Sequence, residues 1–148
     1  MSYVSTDIKK IITEIIENKN EKGGVKNIYF VGCGGSLGAL YPAKTFMERE
    51  AQVLRSAWIN SNEFVHSTPK DFGENSIICL ACHKGNTPET IQAAKLGKEK
   101  GAAVIILTWL LKLLNSATIL SVIHLMQVRI ILPEILTMQE RKHSVRCL

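Results

Sequence analysis

The sequence predicts an α/β fold: a three-layer sandwich in which a parallel sheet of four to five strands is flanked by helices. Three observations carry this. Short strands of β-branched and aromatic residues alternate with helix-spaced segments. The links that follow the strands are short and polar. The 148 residues, 46% of them hydrophobic, are enough to bury one core. Strands that alternate with helices run parallel, because each return to the sheet crosses over through a helix.

Taken in order, Ile8, Ile11, Ile12, Ile15 and Ile16 form one apolar stripe between Lys and Glu positions, which predicts an amphipathic helix over 8–19 ended by the stretch 20–24. Tyr29 to Val31 has the content of a buried strand, and the spacing from Leu37 predicts a single helix to Glu50. A second strand is expected near 52–58. Asn60 then caps a short helix to about Val65, with Glu63 placed to complete a capping box. After a polar loop over 69–75, Ser76 to Ala81 reads as a third strand. Pro88, just after Thr87, is a good first helical residue, so a helix to Lys100 is expected, stopped by Gly101. Ala103 to Thr108 is the fourth strand.

Two turns stand out. Gly32-Cys-Gly-Gly-Ser36 links the first strand to its helix, and glycines there let the backbone turn sharply and bring its N–H groups close to a ligand. Ser36 is expected at the helix N-cap, where a hydroxyl and free amides together favour an anion. Cys82-His-Lys-Gly-Asn-Thr87 occupies the equivalent place after the third strand. In parallel sheets ligands bind beyond the carboxyl ends of the strands, so both turns belong to one rim and one pocket. A dinucleotide fits poorly. Leu37 stands where a third glycine is needed, and the second strand runs into Trp58-Ile-Asn60 with no carboxylate for a ribose diol. A phosphorylated small molecule fits better.

Composition excludes other classes. The formal charge is +5, but residues 1–109 hold 13 Lys and Arg against 11 Asp and Glu, and residues 110–148 hold 5 against 2. The body therefore has no basic stripe for nucleic acid. The polar start, Met1 to Lys10, lacks the apolar core of a secretory signal, so a cytoplasmic location is expected. In a reducing compartment the four cysteines are thiols. Cys79-Leu-Ala-Cys-His83 spells a haem-attachment pattern, but alternation along a strand puts Cys79 and Cys82 on opposite faces. No cofactor and no metal are expected.

Gly32-Cys-Gly-Gly-Ser36 together with Cys82-His-Lys-Gly-Asn-Thr-Pro-Glu-Thr90 resembles the sugar isomerase (SIS) domain, a flavodoxin-like fold. Tyr41-Pro-Ala-Lys44 and Asn62-Glu-Phe64 resemble the fructosamine-6-phosphate deglycases of that family. The resemblance covers residues 1–109 and implies a phosphosugar site. In the first turn it implies Gly34, Gly35 and Ser36 as phosphate-binding. In the second it implies Cys82, His83, Lys84, Gly85 and Thr87, with Glu63 a further candidate for sugar contact. Cys82, His83 and Lys84 stand where the family has a Ser-x-Ser segment. A thiol is a weak donor, and the Lys84 ammonium is the group placed to compensate. The resemblance also implies proton transfer between C1 and C2 of an opened sugar phosphate, with no metal or redox cofactor. The acid and base come largely from a second SIS domain, so no catalytic residue is assigned here.

Composition changes after Trp109. Residues 110–148 contain no Gly, no aromatic residue and no Asp, where the family has a fifth strand and then a second domain. Lys112, Asn115 and His124 interrupt Leu110 to Met126, which argues against a membrane span. Shifted by one base, codons permitted for Leu125 to Ile131 spell Asp-Ala-Gly-Glu-Asp-Tyr, so the tail is read as a frameshifted or truncated copy of a longer chain, without its native fifth strand. The expected organisation is a helix over 1–26, an incomplete SIS domain over 27–109 and an atypical tail over 110–148. Expected partners are a small-molecule sugar phosphate and a second copy in a homodimer, with no nucleic acid and no membrane. The leading expectation is the phosphosugar-binding half of a deglycase-like enzyme, inactive alone. The alternatives are a sugar-phosphate-sensing module and a non-functional truncated product.

Overall fold

The computed structural model describes residues 3–108 and 121–123. The elements run α1 (Tyr3–Glu21), β1 (Asn27–Gly32), α2 (Gly34–Ala39), α3 (Tyr41–Glu50), β2 (Arg55–Asn60), α4 (Ser61–His66), β3 (Ser76–Cys82), α5 (Pro88–Glu99), β4 (Ala103–Thr108) and β5 (Ser121–Ile123). One sheet holds all five strands in the order β2-β1-β3-β4-β5, and every neighbouring pair is parallel. The fifth position is held by three residues of the 110–148 segment, with Ser121 opposite Ile105.

Alternation divides the sheet into two cores. Ile28, Phe30, Ile77, Cys79, Ala81, Ile105 and Leu107 point to one face, where Ile12, Ile15 and Ile16 of α1 and Ala43 and Met47 of α3 cover them. Tyr29, Val31, Ile78, Leu80, Cys82 and Ile106 point to the other, under Phe64 of α4 and Ala93 and Ala94 of α5. The structure is thus the three-layer sandwich expected. Cys79 and Cys82 do face opposite ways, so they cannot hold one haem edge. Tyr29, Phe64 and Phe72 form an edge-to-face triad, their centroids 4.9–5.9 Å apart, and the Tyr29 hydroxyl donates to Asp71 at 2.7 Å.

The loops at the amino ends of the strands are tied by side chains. Lys19, 8% exposed, donates to the carbonyls of Glu74 and Gly101, and burial lowers its pKa, with Lys22 adding to the shift and Glu74 opposing it. Asn75 donates to the carbonyls of Lys22 and Gly24.

The first helix, expected over 8–19, runs Tyr3–Glu21, and three further features differ from the sequence expectation. The helix predicted over 37–50 is two helices, broken at Leu40 (φ −86°, ψ −10°). Pro42 lies within the first turn of α3, and it has no N–H to continue the ladder back to Gly38. The second strand is Arg55–Asn60 and not 52–58, because register with Asn27–Gly32 decides pairing at an edge strand. Ser36 is not the cap of α2. Cys33 is, in extended conformation (φ −125°, ψ 140°), and Ser36 is the third helical residue.

Candidate phosphate site

The order β2-β1-β3-β4-β5 changes direction between β1 and β3, and the crevice outside the carboxyl ends of such a pair is where parallel sheets take ligands. The two turns leave from that pair, Gly32 lying opposite Ala81. Gly32 is required by closeness, since a Cβ there would lie 3.1 Å from both the Ala81 carbonyl oxygen and the Leu37 nitrogen. Gly34 takes φ +52°, and a Cβ built on Gly34 or Gly35 meets nothing within 4 Å. The first turn therefore presents bare backbone to open space.

The turns touch. The His83 N–H donates to the Ser36 Oγ at 3.3 Å, and the Cys82 thiol donates to the Thr87 Oγ1 at 3.3 Å. Each hydroxyl is occupied as an acceptor, which leaves its own proton available to donate. A site built from hydroxyl protons and the first amides of helices selects an anion. Thr87 is the N-cap of α5, as the sequence predicts, but its hydroxyl makes no capping bond; it is held by Cys82 instead. Cys82 is 2% exposed, so its thiol acts behind Thr87 rather than at the rim. Gly85 turns the second loop at φ +65°, and its N–H donates to the Cys82 carbonyl at 3.2 Å.

His83 and Lys84 are exposed on this turn. Glu63 is exposed in the first turn of α4, which starts from the same rim after β2. Asn60 caps α4 as expected, accepting from the Asn62 N–H at 2.9 Å. Among the described residues, no group of three or more His, Cys, Asp or Glu is placed to hold a metal ion, and no helix is long and apolar enough to cross a membrane.

Two supports escape sequence reading because they join distant positions. Ser61 and Thr90, both buried, share a hydroxyl hydrogen bond of 3.0 Å that fixes the starts of α4 and α5 to each other. Trp58 donates through Nε1 to the Leu37 carbonyl at 2.9 Å, which anchors the end of α2 on β2. Tyr41 packs edge-on to Trp58 at 5.7 Å, and Lys44 lies over the Tyr41 ring and pairs with Glu48. The Tyr41-to-Lys44 motif thus sits one short helix beyond the turn.

No protein-family model matches the chain. A fructosamine deglycase of Bacillus subtilis is 34% identical over 109 residues, 74% of this chain and 33% of the relative. A fructoselysine 6-phosphate deglycase of Escherichia coli is 33% identical over 81 residues, 55% of this chain and 24% of the relative. The crystal structure of a Salmonella typhimurium protein designated a phosphosugar isomerase superposes with a TM-score of 0.81 at 34% identity, over 93% of this chain and 45% of that one. The fold is the SIS fold of that phosphosugar isomerase structure. Its sequence relatives are fructosamine and fructoselysine 6-phosphate deglycases, and the chain spans a third or less of their length.

Proposed function

We propose that the chain binds a sugar phosphate between its two turns, as the phosphosugar-binding SIS half of a fructosamine-6-phosphate deglycase or aldose-ketose isomerase-like enzyme. The observation that carries this reading is the direct link between the turns, His83 N–H to Ser36; with Thr87 held as an acceptor by Cys82 within the second turn, it leaves two hydroxyl protons for one anion. Glycine amides of the first turn add donors, and Lys84 adds charge where the family has a serine hydroxyl. The 148 residues taken alone bind without turnover, since the match spans a third of the deglycase. The reading includes assembly as a homodimer; Tyr41 of α3, Val53 of the link after it and Trp58 of the edge strand β2, all large exposed apolar residues, support it.

The test is thermal unfolding with increasing fructose 6-phosphate, against fructose as the control. A ligand selective for the folded state raises the midpoint, by about 2.7 kcal/mol of stability at a hundredfold excess over Kd. A rise with the phosphate alone is expected. No rise with either sugar, or an equal rise with both, overturns the reading.

A further inference from the structure

We propose that Cys33 and Cys82 are a dithiol pair spanning the two turns, which a low-molecular-weight disulfide such as oxidised glutathione converts to a Cys33–Cys82 disulfide that disables the cradle. The placement follows from the strands. Gly32 lies opposite Ala81, so Cys33 and Cys82 are the next positions along the same pair. Cys33 keeps extended geometry (φ −125°, ψ 140°), which carries the register one residue further. Neighbouring strands lie roughly 4.8 Å apart, inside the span of about 4.4–6.8 Å that a disulfide needs between Cα atoms. The side chains also agree: Val31 and Cys82 face the α4 and α5 side, and alternation returns Cys33 to that side.

The two thiols differ in access, and this orders the chemistry. Cys33 is half-buried and Cys82 buried. The Cys33 thiol gives up its proton as its sulfur attacks one sulfur of oxidised glutathione and breaks the S–S bond; the first glutathione departs with that proton, leaving Cys33 as the mixed disulfide. The Cys82 thiol gives up its proton, and its sulfur attacks the Cys33 sulfur, expelling the second glutathione, which takes that proton. Two protein thiols are oxidised and one glutathione disulfide is reduced to two thiols. Cys79 cannot take this part. It lies in the opposite core, and burial pushes its thiol up to about 12.

Turning Cys82 toward Cys33 removes the donor that holds Thr87 and strains the turn whose His83 N–H holds Ser36. The consequence for ligand binding rests on the phosphosugar reading; the cross-link itself does not. The experiment incubates the full chain in glutathione buffers of rising oxidised fraction, blocks remaining thiols and maps the peptides by mass. The expected result is a linked peptide pair containing Cys33 and Cys82, two hydrogens lighter, absent in C33S and reversed by dithiothreitol. The oxidised chain is expected to bind fructose 6-phosphate at least tenfold more weakly than the reduced chain, whereas C33S keeps its own reduced affinity through the same treatment. Glutathione resting on Cys33 without transfer, or Cys33 joined to Cys147, overturns the proposal. If the cross-link forms but the reduced chain binds no sugar phosphate, the dithiol stands and the phosphosugar reading falls.

Discussion

Ser36 accepts from the His83 N–H, and the proposed site gives its remaining proton to the ligand, so on that proposal its loss is felt at the ligand before it is felt in the fold. Ser36→Ala is expected to weaken fructose 6-phosphate binding about 10- to 100-fold, the worth of one hydrogen bond to a charged group at about 1.5–3 kcal/mol, as read by calorimetric titration. Gly32 is the converse case. A methyl there is driven against the backbone of Ala81 and Leu37, neither of which yields, so Gly32→Ala is expected to cost about 1–3 kcal/mol in denaturant unfolding. Cys79 sets a pH limit. Its thiol is neutral in the fold up to about 12 and ionises near 9 when unfolded, so between those values the unfolded chain holds fewer protons. Stability is complete below pH 9 and falls as pH rises, by about 1.4 kcal/mol per unit. Tyr29, raised by burial and by its bond to Asp71, acts in the same sense, and the lowered Lys19 acts against both. Urea midpoints measured from pH 8 to 11 read the net fall, and Cys79→Ala is expected to flatten it.

At the scale of elements, the sequence was most legible where the period is unambiguous. Ile12, Ile15 and Ile16 of the α1 stripe, the Pro88 start of α5 and the apolar runs of β1, β3 and β4 are each found in place; Ile8 and Ile11 lie outside the described side chains. Asn60 was legible as a cap because its chemistry is local, and Asn60→Ala is expected to cost about 1 kcal/mol in thermal unfolding. Legibility failed where a distant partner decides. A helical period runs unbroken through Leu40, yet Pro42 divides it, and the bond from Trp58 to the Leu37 carbonyl fixes the first piece at its own angle. The start of β2 was misplaced because an edge strand with half-exposed residues has little periodic signal. Ser36 was misplaced by three positions for a related reason: a glycine in left-handed conformation, Gly34, begins the helix early.

For the whole molecule, the rim was legible before its wiring was. Short polar turns after the first and third strands share one rim if the sheet is parallel, and the neighbouring positions of β1 and β3 bring them together. What no local pattern reveals is that a backbone N–H of one turn binds the side chain of the other, or that Cys82 serves Thr87 from beneath. The fifth sheet position, expected to lack its native strand, is held by Ser121–Ile123 beside β4. The frameshift reading remains a proposal, and the nucleotide sequence tests it: an open shifted frame restoring the Asp-Tyr and glycine-containing stretch after codon 109 is expected, and stop codons in that frame would end it.

The central claim is that both turns hold one phosphoryl group. Amide chemical shifts of the labelled chain, followed while fructose 6-phosphate is added, test it most directly. Gly34 and Gly35 of the first turn and Gly85 of the second are expected to move together along one binding curve. Movement confined to one turn, or two curves of different affinity, would contradict it.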